Sequence, residues 1–145
     1  MISDMGEKEK MSPKLKEAAV SQYCFWTGEM VIGGIEGVHE TEAGFLDGRE
    51  VTLVKYDPER VSLEEITKIA KKANTADKVY TSTKGYRKAS PSDQKRQIQG
   101  TPFSKVKLTP EQATKVNAFA RRNPRKALTY LNEEQKKMVL KQKAQ

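Results

Sequence analysis

The spacing of apolar residues along the chain predicts a folded unit in the first half and a more polar segment after it. Alternating apolar and polar residues are typical of strands, and apolar residues three or four positions apart are typical of one helix face. We therefore expect strands at 20–25, 38–45, 49–56 and 78–83. We also expect a short helical turn at 14–19 and helices at 26–35 and 63–74.

Two local signals support this order of elements. Asp47-Gly48, between the second and third strands, is typical of a tight hairpin turn, because such turns favour residues that tolerate positive φ. Ser62, with Glu65 three residues later, predicts a capping box at the start of the second helix. The order strand–helix–strand–strand–helix–strand predicts an α+β fold of the ferredoxin-like, or split βαβ, kind.

The rest of the chain is predicted to be a helical extension. Thr109 followed by Pro110 marks a helix start, and Asn123-Pro124 marks a helix end. The apolar content after residue 83 is too low for an independent core. We therefore divide the chain into a flexible segment at 1–15, an α+β core at 16–83 and a basic, mainly helical extension at 84–145 that packs on the core.

Charge is distributed unevenly over the 145 residues. Residues 1–80 carry 11 Lys and Arg against 15 Asp and Glu, and residues 81–145 carry 16 against 4, for a net charge of +8. A basic half suggests an anionic partner, although a solvated helical surface gives the same pattern. No apolar run reaches the ~20 residues of a membrane span. We expect a monomer that is cytoplasmic, or secreted if a signal peptide has been removed.

Cys24 is the only cysteine and Trp26 the only tryptophan, and one phenylalanine separates them. A single cysteine excludes an internal disulfide and a multi-cysteine metal site within one chain, so we expect no metal and no bound cofactor. The first strand is predicted to give way to the first helix at this point. A thiolate is the reactive form of cysteine and is stabilised near a helix N-terminus, so Cys24 is the first candidate for chemistry.

The residues that follow Cys24 resemble a known family. Cys24-Phe25-Trp26, with Gly28 and Glu29 after it, is similar to the Gly-Cys-Phe-Trp-Gly-x-Glu motif of peptide methionine sulfoxide reductase A. The similarity covers residues 22–74, and its further matches are Ile35 to Val38, Thr41, Gly44-Phe45, Glu50, Tyr56 to Pro58, Ser62 and Glu64-Glu65.

The resemblance implies thiol-dependent reduction of methionine sulfoxide, either free or in a peptide or oxidised protein. Cys24 would attack the sulfoxide and become a sulfenic acid. Glu50 would supply the proton, since it keeps the family's spacing of six residues before Tyr56. An external thiol, thioredoxin or a small thiol, would then reduce the sulfenic acid.

Other residues would form the pocket for the substrate. Phe25 and Trp26 would make an apolar wall around the S-methyl group. Either Tyr80 or Tyr86 would hydrogen-bond the sulfoxide oxygen, and the sequence leaves both open. Glu29 is expected to stabilise the first helical turn instead of reacting.

The chain also departs from the family's pattern. Tyr23 and Thr27 replace two glycines of the motif, and Leu46-Asp47-Gly48 is a bare turn where the family has a long loop with a pocket tyrosine. No second cysteine is present to resolve the sulfenic acid. These departures also fit a domain on the same scaffold that has lost turnover.

Two non-enzymatic functions compete with this one. A heavy-metal-associated domain shares the fold but binds through two cysteines, so metal capture here would need a dimer. Alternatively, the basic extension would bind nucleic acid or another anionic partner. The clustered basic residues are Arg87, Lys88, Lys95, Arg96, Arg121, Arg122, Arg125 and Lys126.

Overall fold

The structure is a computed structural model that describes residues 14–22, 24–73 and 78–143. The strands in this part of the chain are β1 (Lys16–Ser21), β2 (Val38–Leu46), β3 (Arg49–Tyr56), β4 (Lys78–Tyr80) and β5 (Arg87–Lys88). The helices there are α1 (Phe25–Gly33), α2 (Leu63–Lys72), α3 (Pro110–Phe119), α4 (Pro124–Leu128) and α5 (Glu133–Lys143). Short 3-10 turns at Pro91–Asp93 and Pro102–Lys105 lie between β5 and α3. The predicted α+β class is confirmed.

The strands form one antiparallel sheet in the order β4-β1-β3-β2-β5. The predicted hairpin is present, because β2 and β3 pair directly from Leu46 opposite Arg49 onward. Asp47 and Gly48 have φ of 55° and 72°, the two positive values that a tight I′ turn requires. The predicted capping box also forms, with the Glu65 N–H donating to Ser62 Oγ at 3.1 Å.

The two faces of this sheet carry different residues. On one face, which we call the helical face, Val20 lies opposite Thr52 and Val79. Here α1 and α2 pack on the sheet through a buried cluster. On the other face, which we call the tyrosine face, Ala19 and its neighbours are covered by two aromatic side chains. This second, smaller cluster consists of Ala19, Leu46 and Val51 with Tyr80 and Tyr86 against them.

The segment after β5 has its own apolar cluster, although its low apolar content predicted none, and it makes a close contact with α1. Ile98, Phe103, Val116, Phe119 and Val139 are among its buried members. At the contact, a Cβ on Gly33 would come within 3.0 Å of the Thr114 carbonyl oxygen, so glycine allows α1 and α3 to approach closely. Thr114 Oγ1 also accepts the backbone N–H of Thr41 in β2 at 3.1 Å. The extension is therefore joined to both a helix and a strand of the sheet region.

Several predicted boundaries are wrong. The helical turn at 14–19 and the strand at 20–25 are replaced by a strand at Lys16–Ser21, whose alternate residues face the two sides of the sheet. β4 ends at Tyr80, and β5 falls in a segment for which no strand was predicted. The predicted flexible segment at 1–15 and the end of the helix at 74 lie largely outside the described residues. No helix in the described ranges is long and apolar enough to span a membrane.

Candidate functional site

Cys24 lies between the end of β1 and the first turn of α1. Its backbone is extended, with φ −146° and ψ 118°, and its carbonyl oxygen accepts the Gly28 N–H at 3.1 Å. The side chain is partly exposed and caps no backbone N–H group of the helix. A thiolate formed there would lie near the positive end of the α1 dipole.

Glu50 is brought to the same end of the sheet by the pairing of β1 and β3. The backbone N–H of Gln22 donates to the Glu50 carbonyl oxygen at 3.2 Å, and Cys24 is only two residues further along the chain. Two residues of chain span at most about 7 Å. Glu50 lies two positions before Thr52, so its side chain is on the helical face, the side on which α1 packs. Arg49 precedes Glu50 in the strand, so its side chain points to the tyrosine face.

Trp26 and Phe45 form an aromatic surface beside Cys24 and Glu50. Both are partly buried against Ala43 and Ala89, and Phe45 in β2 lies directly opposite Glu50 in β3. Phe25 is the first residue of α1. The structure therefore gathers the thiol, the carboxylate and the tryptophan of the predicted site at one end of the helical face, whereas Tyr23 lies outside the described residues.

Tyr80 and Tyr86 do not belong to this group. Tyr80 is paired with Ala19, and Tyr86 packs into the same small cluster, so both side chains lie on the tyrosine face. The Tyr86 hydroxyl donates to Glu42 Oε2 at 2.7 Å. Burial, and next this hydrogen bond, raise the pKa of Tyr86 well above its ordinary value. The expectation that either tyrosine hydrogen-bonds a substrate at Cys24 is incompatible with this arrangement, because the sheet separates them.

Glu29 has a structural role that its neighbours in the sequence do not indicate. It lies past the first turn of α1, it is fully buried, and its Oε2 is 2.7 Å from Lys95 Nζ. Its Oε1 accepts the backbone N–H of Lys95 at 2.9 Å, and Lys95 Nζ also donates to the Thr41 carbonyl oxygen. This buried pair ties the segment after β5 to α1. The contact joins residues 66 positions apart, so no local sequence signal could have found it.

The opposite end of α1 opens on a polar cleft of about 400 Å³ between the α1–β2 loop and the helices α3 and α4. His39 Nδ1 lies 3.1 Å from Glu111 Oε1 on its wall. Lys115 Nζ donates to the carbonyl oxygens of Gly33 and Ile35 at 2.9 and 2.7 Å. Burial lowers the pKa of Lys115 to about 8, against the opposing effect of the nearby Glu36 carboxylate.

Several basic residues of the extension contact other groups of the same segment. Arg122 and Lys126 both lie over the ring of Phe119, at 4.7 and 4.6 Å from its centroid. Arg121 donates to the Gln99 carbonyl oxygen at 2.7 Å. All three residues are exposed, so these contacts hold the positive charges in place without removing them from the surface.

No group of three or more His, Cys, Asp or Glu side chains that could hold a metal ion occurs among residues 14–22, 24–73 and 78–143. No protein-family model and no curated protein matches this chain.

Proposed function

We propose that this protein reduces methionine sulfoxide, free or peptide-bound, with Cys24 as the nucleophile and Glu50 as the proton donor. The observation that carries the proposal is the hydrogen bond from the Gln22 N–H to the Glu50 carbonyl, which brings the thiol and the carboxylate to one end of two neighbouring strands. The partly exposed sulfur next to an aromatic surface supports it further.

The chemistry requires one thiol on the protein and two from outside. The Cys24 thiolate attacks the sulfoxide sulfur, Glu50 protonates the oxygen, and that oxygen ends on Cys24 as a sulfenic acid while methionine leaves. The sulfoxide gains two electrons and the cysteine sulfur loses two. Two external thiols then convert the sulfenic acid to a thiol, with a disulfide and water as products, because the chain has no second cysteine.

The proposal includes the ferredoxin-like fold. In that fold the four strands of the split βαβ core run antiparallel with the last strand next to the first, and the order β4-β1-β3-β2 supports this interpretation. The order also explains the location of the site. β1 is an inner strand and runs antiparallel to its neighbour β3. The residue after β1 and the first residues of β3 therefore lie at the same end of these two strands.

The substrate would lie against the ring of Trp26, with Phe25 as the second apolar residue of the motif. The S-methyl group of methionine sulfoxide is apolar and packs well against an aromatic ring, so this surface suits the part of the substrate that carries no charge. Tyr80 and Tyr86 have no role in this scheme, since both lie on the tyrosine face. Activation of the sulfoxide oxygen then depends on Glu50 alone.

The test is thiol consumption that depends on methionine sulfoxide, measured with dithiothreitol and with thioredoxin. We expect turnover by the unmodified protein, background rates for Cys24→Ser, and a loss of about 10²–10⁴-fold for Glu50→Gln, the usual size of a general-acid contribution. Glu42→Gln is the matched control, because this carboxylate of the neighbouring strand faces the other side of the sheet. A folded protein that shows no sulfoxide-dependent consumption with either reductant would contradict the proposal.

A further inference from the structure

Two arginines lie over the rings of Trp26 and Phe45. The guanidinium carbon of Arg96 is 4.5 Å from the centroid of the Trp26 ring, and that of Arg87 is 5.8 Å from the centroid of the Phe45 ring. Both arginine side chains are exposed. A guanidinium group at this distance is attracted by the ring and keeps its charge at the surface, and its planar fork of N–H donors suits bidentate binding of an anion.

These arginines differ from the lysines next to them in sequence, because neither has a carboxylate partner among the described residues. Lys88, next to Arg87, pairs with Glu42, and Lys95, next to Arg96, pairs with Glu29. Neither Arg87 nor Arg96 forms an ion pair with any described residue. The hydrogen bonds of Arg96 to Ser92 and Gln99 both use Nη1.

The register of the sheet sets the distance between this surface and the proposed proton donor. Glu50, Phe45 and Arg87 lie opposite one another on β3, β2 and β5, so they form one row across the helical face. Directly opposed side chains have Cβ atoms about 5 Å apart, which puts Glu50 and Arg87 about 10 Å apart. An extended peptide covers that distance in about three residues.

We propose that Arg87 and Arg96 bind a carboxylate of the substrate, so that the preferred substrate is a methionine sulfoxide with an acidic group within a few residues. The inference rests on the proposed function, because it defines the substrate of that same site. The carboxylate comes from an Asp or Glu side chain in a peptide or from the α-carboxylate of methionine sulfoxide itself. The row geometry requires only that it lie on the β5 side of the sulfoxide.

The first experiment compares kcat/KM for blocked peptides that are identical except for Glu, Gln or Lys on both sides of the methionine sulfoxide. Charge-assisted hydrogen bonds are strong enough to favour the Glu peptide over the Lys peptide by about tenfold or more. Added salt should reduce this preference, because both arginines are exposed. Free methionine sulfoxide, measured against its blocked amide, separates the α-carboxylate from the side-chain source. Equal rates for the Glu and Lys peptides would overturn the inference.

Variants assign the preference to the two arginines. In Arg87→Gln/Arg96→Gln the ratio of rates on the Glu and Lys peptides should fall toward one. Lys88→Gln is the matched control, since it removes one positive charge from the same strand on the opposite face of the sheet, and it should keep the ratio. A ratio that stays the same in the double variant, or that falls equally in the control, would show that Arg87 and Arg96 do not recognise the carboxylate.

A binding measurement separates this inference from the proposed chemistry. Trp26 is the only tryptophan of the chain and carries Arg96 on its ring, so its fluorescence reports on this surface. In Cys24→Ser, we expect the Glu peptide to change the fluorescence saturably, with an affinity about tenfold or more above that of the Lys peptide. Preferential binding without turnover in the unmodified protein would reject only the proposed reaction. Equal affinities, or no saturable change with the Glu peptide, would reject the arginine surface.

Discussion

The two ends of α1 have opposite electrostatic character and are treated differently by the rest of the chain. At the C-terminal end, the ammonium group of Lys115 donates to two backbone carbonyl oxygens, those of Gly33 and Ile35. At the N-terminal end, Cys24 caps no N–H group, and its side chain is partly exposed. Carbonyl oxygens at the C-terminal end are therefore bonded by a lysine side chain, whereas the N-terminal end presents a thiol next to an aromatic surface.

The difference shows that the C-terminal end of α1 is the end that is bonded to the extension. Lys115 in α3 joins the extension to α1 through these two hydrogen bonds, and the negative end of the helix dipole offsets part of the cost of burying its charge. The first turn of α1 contains no acidic residue, and a Cys24 thiolate would place a negative charge at this positive end of the helix. We take this as the physical reason why chemistry is expected at the N-terminal end and stability at the C-terminal end.

The same contrast holds for two adjacent residues of the extension. Lys95 reaches the buried Glu29 carboxylate, whereas Arg96 lies exposed on the Trp26 ring. Two positive residues that are adjacent in sequence therefore have different roles. Lys95 stabilises the fold through its buried ion pair, and Arg96 belongs to the exposed surface around Trp26. The net charge of +8 alone does not distinguish the two.

The largest expected effect is the loss of stability when the buried ion pair of Glu29 and Lys95 is broken. Glu29→Gln leaves the ammonium group of Lys95 largely buried without a counter-charge, which should lower the free energy of unfolding by about 3–5 kcal/mol. Urea denaturation measures this change. Glu36→Gln, which removes an exposed ion pair with Arg60, should cost less than about 1 kcal/mol. Arg96→Gln should cost less than about 0.5 kcal/mol. If Glu29→Gln and Arg96→Gln lower the free energy of unfolding by similar amounts, Lys95 and Arg96 do not have the different roles assigned to them.

A smaller effect is expected at the C-terminal end of α1 and depends on pH. Folding lowers the pKa of Lys115 from 10.5 to about 8, so below pH 8 both states are protonated and the cost of burying the charge is fully present. Between about pH 8 and 10.5 the unfolded chain holds more protons, so the contribution of Lys115 to stability rises with pH. We expect a rise of about 1–2 kcal/mol relative to Lys115→Met, less than the full shift implies because the group is partly exposed.

Unfolding curves of both proteins across this pH window provide the measurement. The difference in free energy of unfolding between the unmodified protein and Lys115→Met should change steadily from pH 8 upward. It should level off near pH 10.5, the pKa of the lysine in the unfolded chain. If the free energies of unfolding of the two proteins change in parallel with pH, Lys115 is not desolvated at the C-terminal end of α1.

The smallest expected effect concerns the tyrosine face. Tyr86→Phe removes the hydrogen bond to Glu42 and should lower the free energy of unfolding by about 1 kcal/mol. Because the sheet separates Tyr86 from Cys24, the rate of sulfoxide reduction should stay the same. A large drop in that rate, with stability retained, would put Tyr86 in the site and contradict the assignment of the two faces.

The sequence predicted local features well and long-range ones poorly. The Asp47-Gly48 turn and the Ser62 cap depend on neighbouring residues, and both are present in the structure. The start of β1 was misjudged because Lys16 and Glu17 lie at its exposed end and give no apolar alternation. Tyr80 and Tyr86 both lie on the face away from Cys24, which depends on strand register, and a shift of one residue moves a side chain to the other face of the sheet.

The central claim is that Cys24 takes the oxygen from a methionine sulfoxide, and a single-turnover experiment without reductant tests it most directly. The protein is mixed with methionine sulfoxide and dimedone, and both the Cys24 peptide and the released methionine are quantified by mass spectrometry. We expect a dimedone adduct on Cys24 that forms only with the sulfoxide, in proportion to the methionine produced, and neither product from Cys24→Ser. Methionine without an adduct on Cys24, or no sulfoxide-dependent adduct at all, would contradict the account.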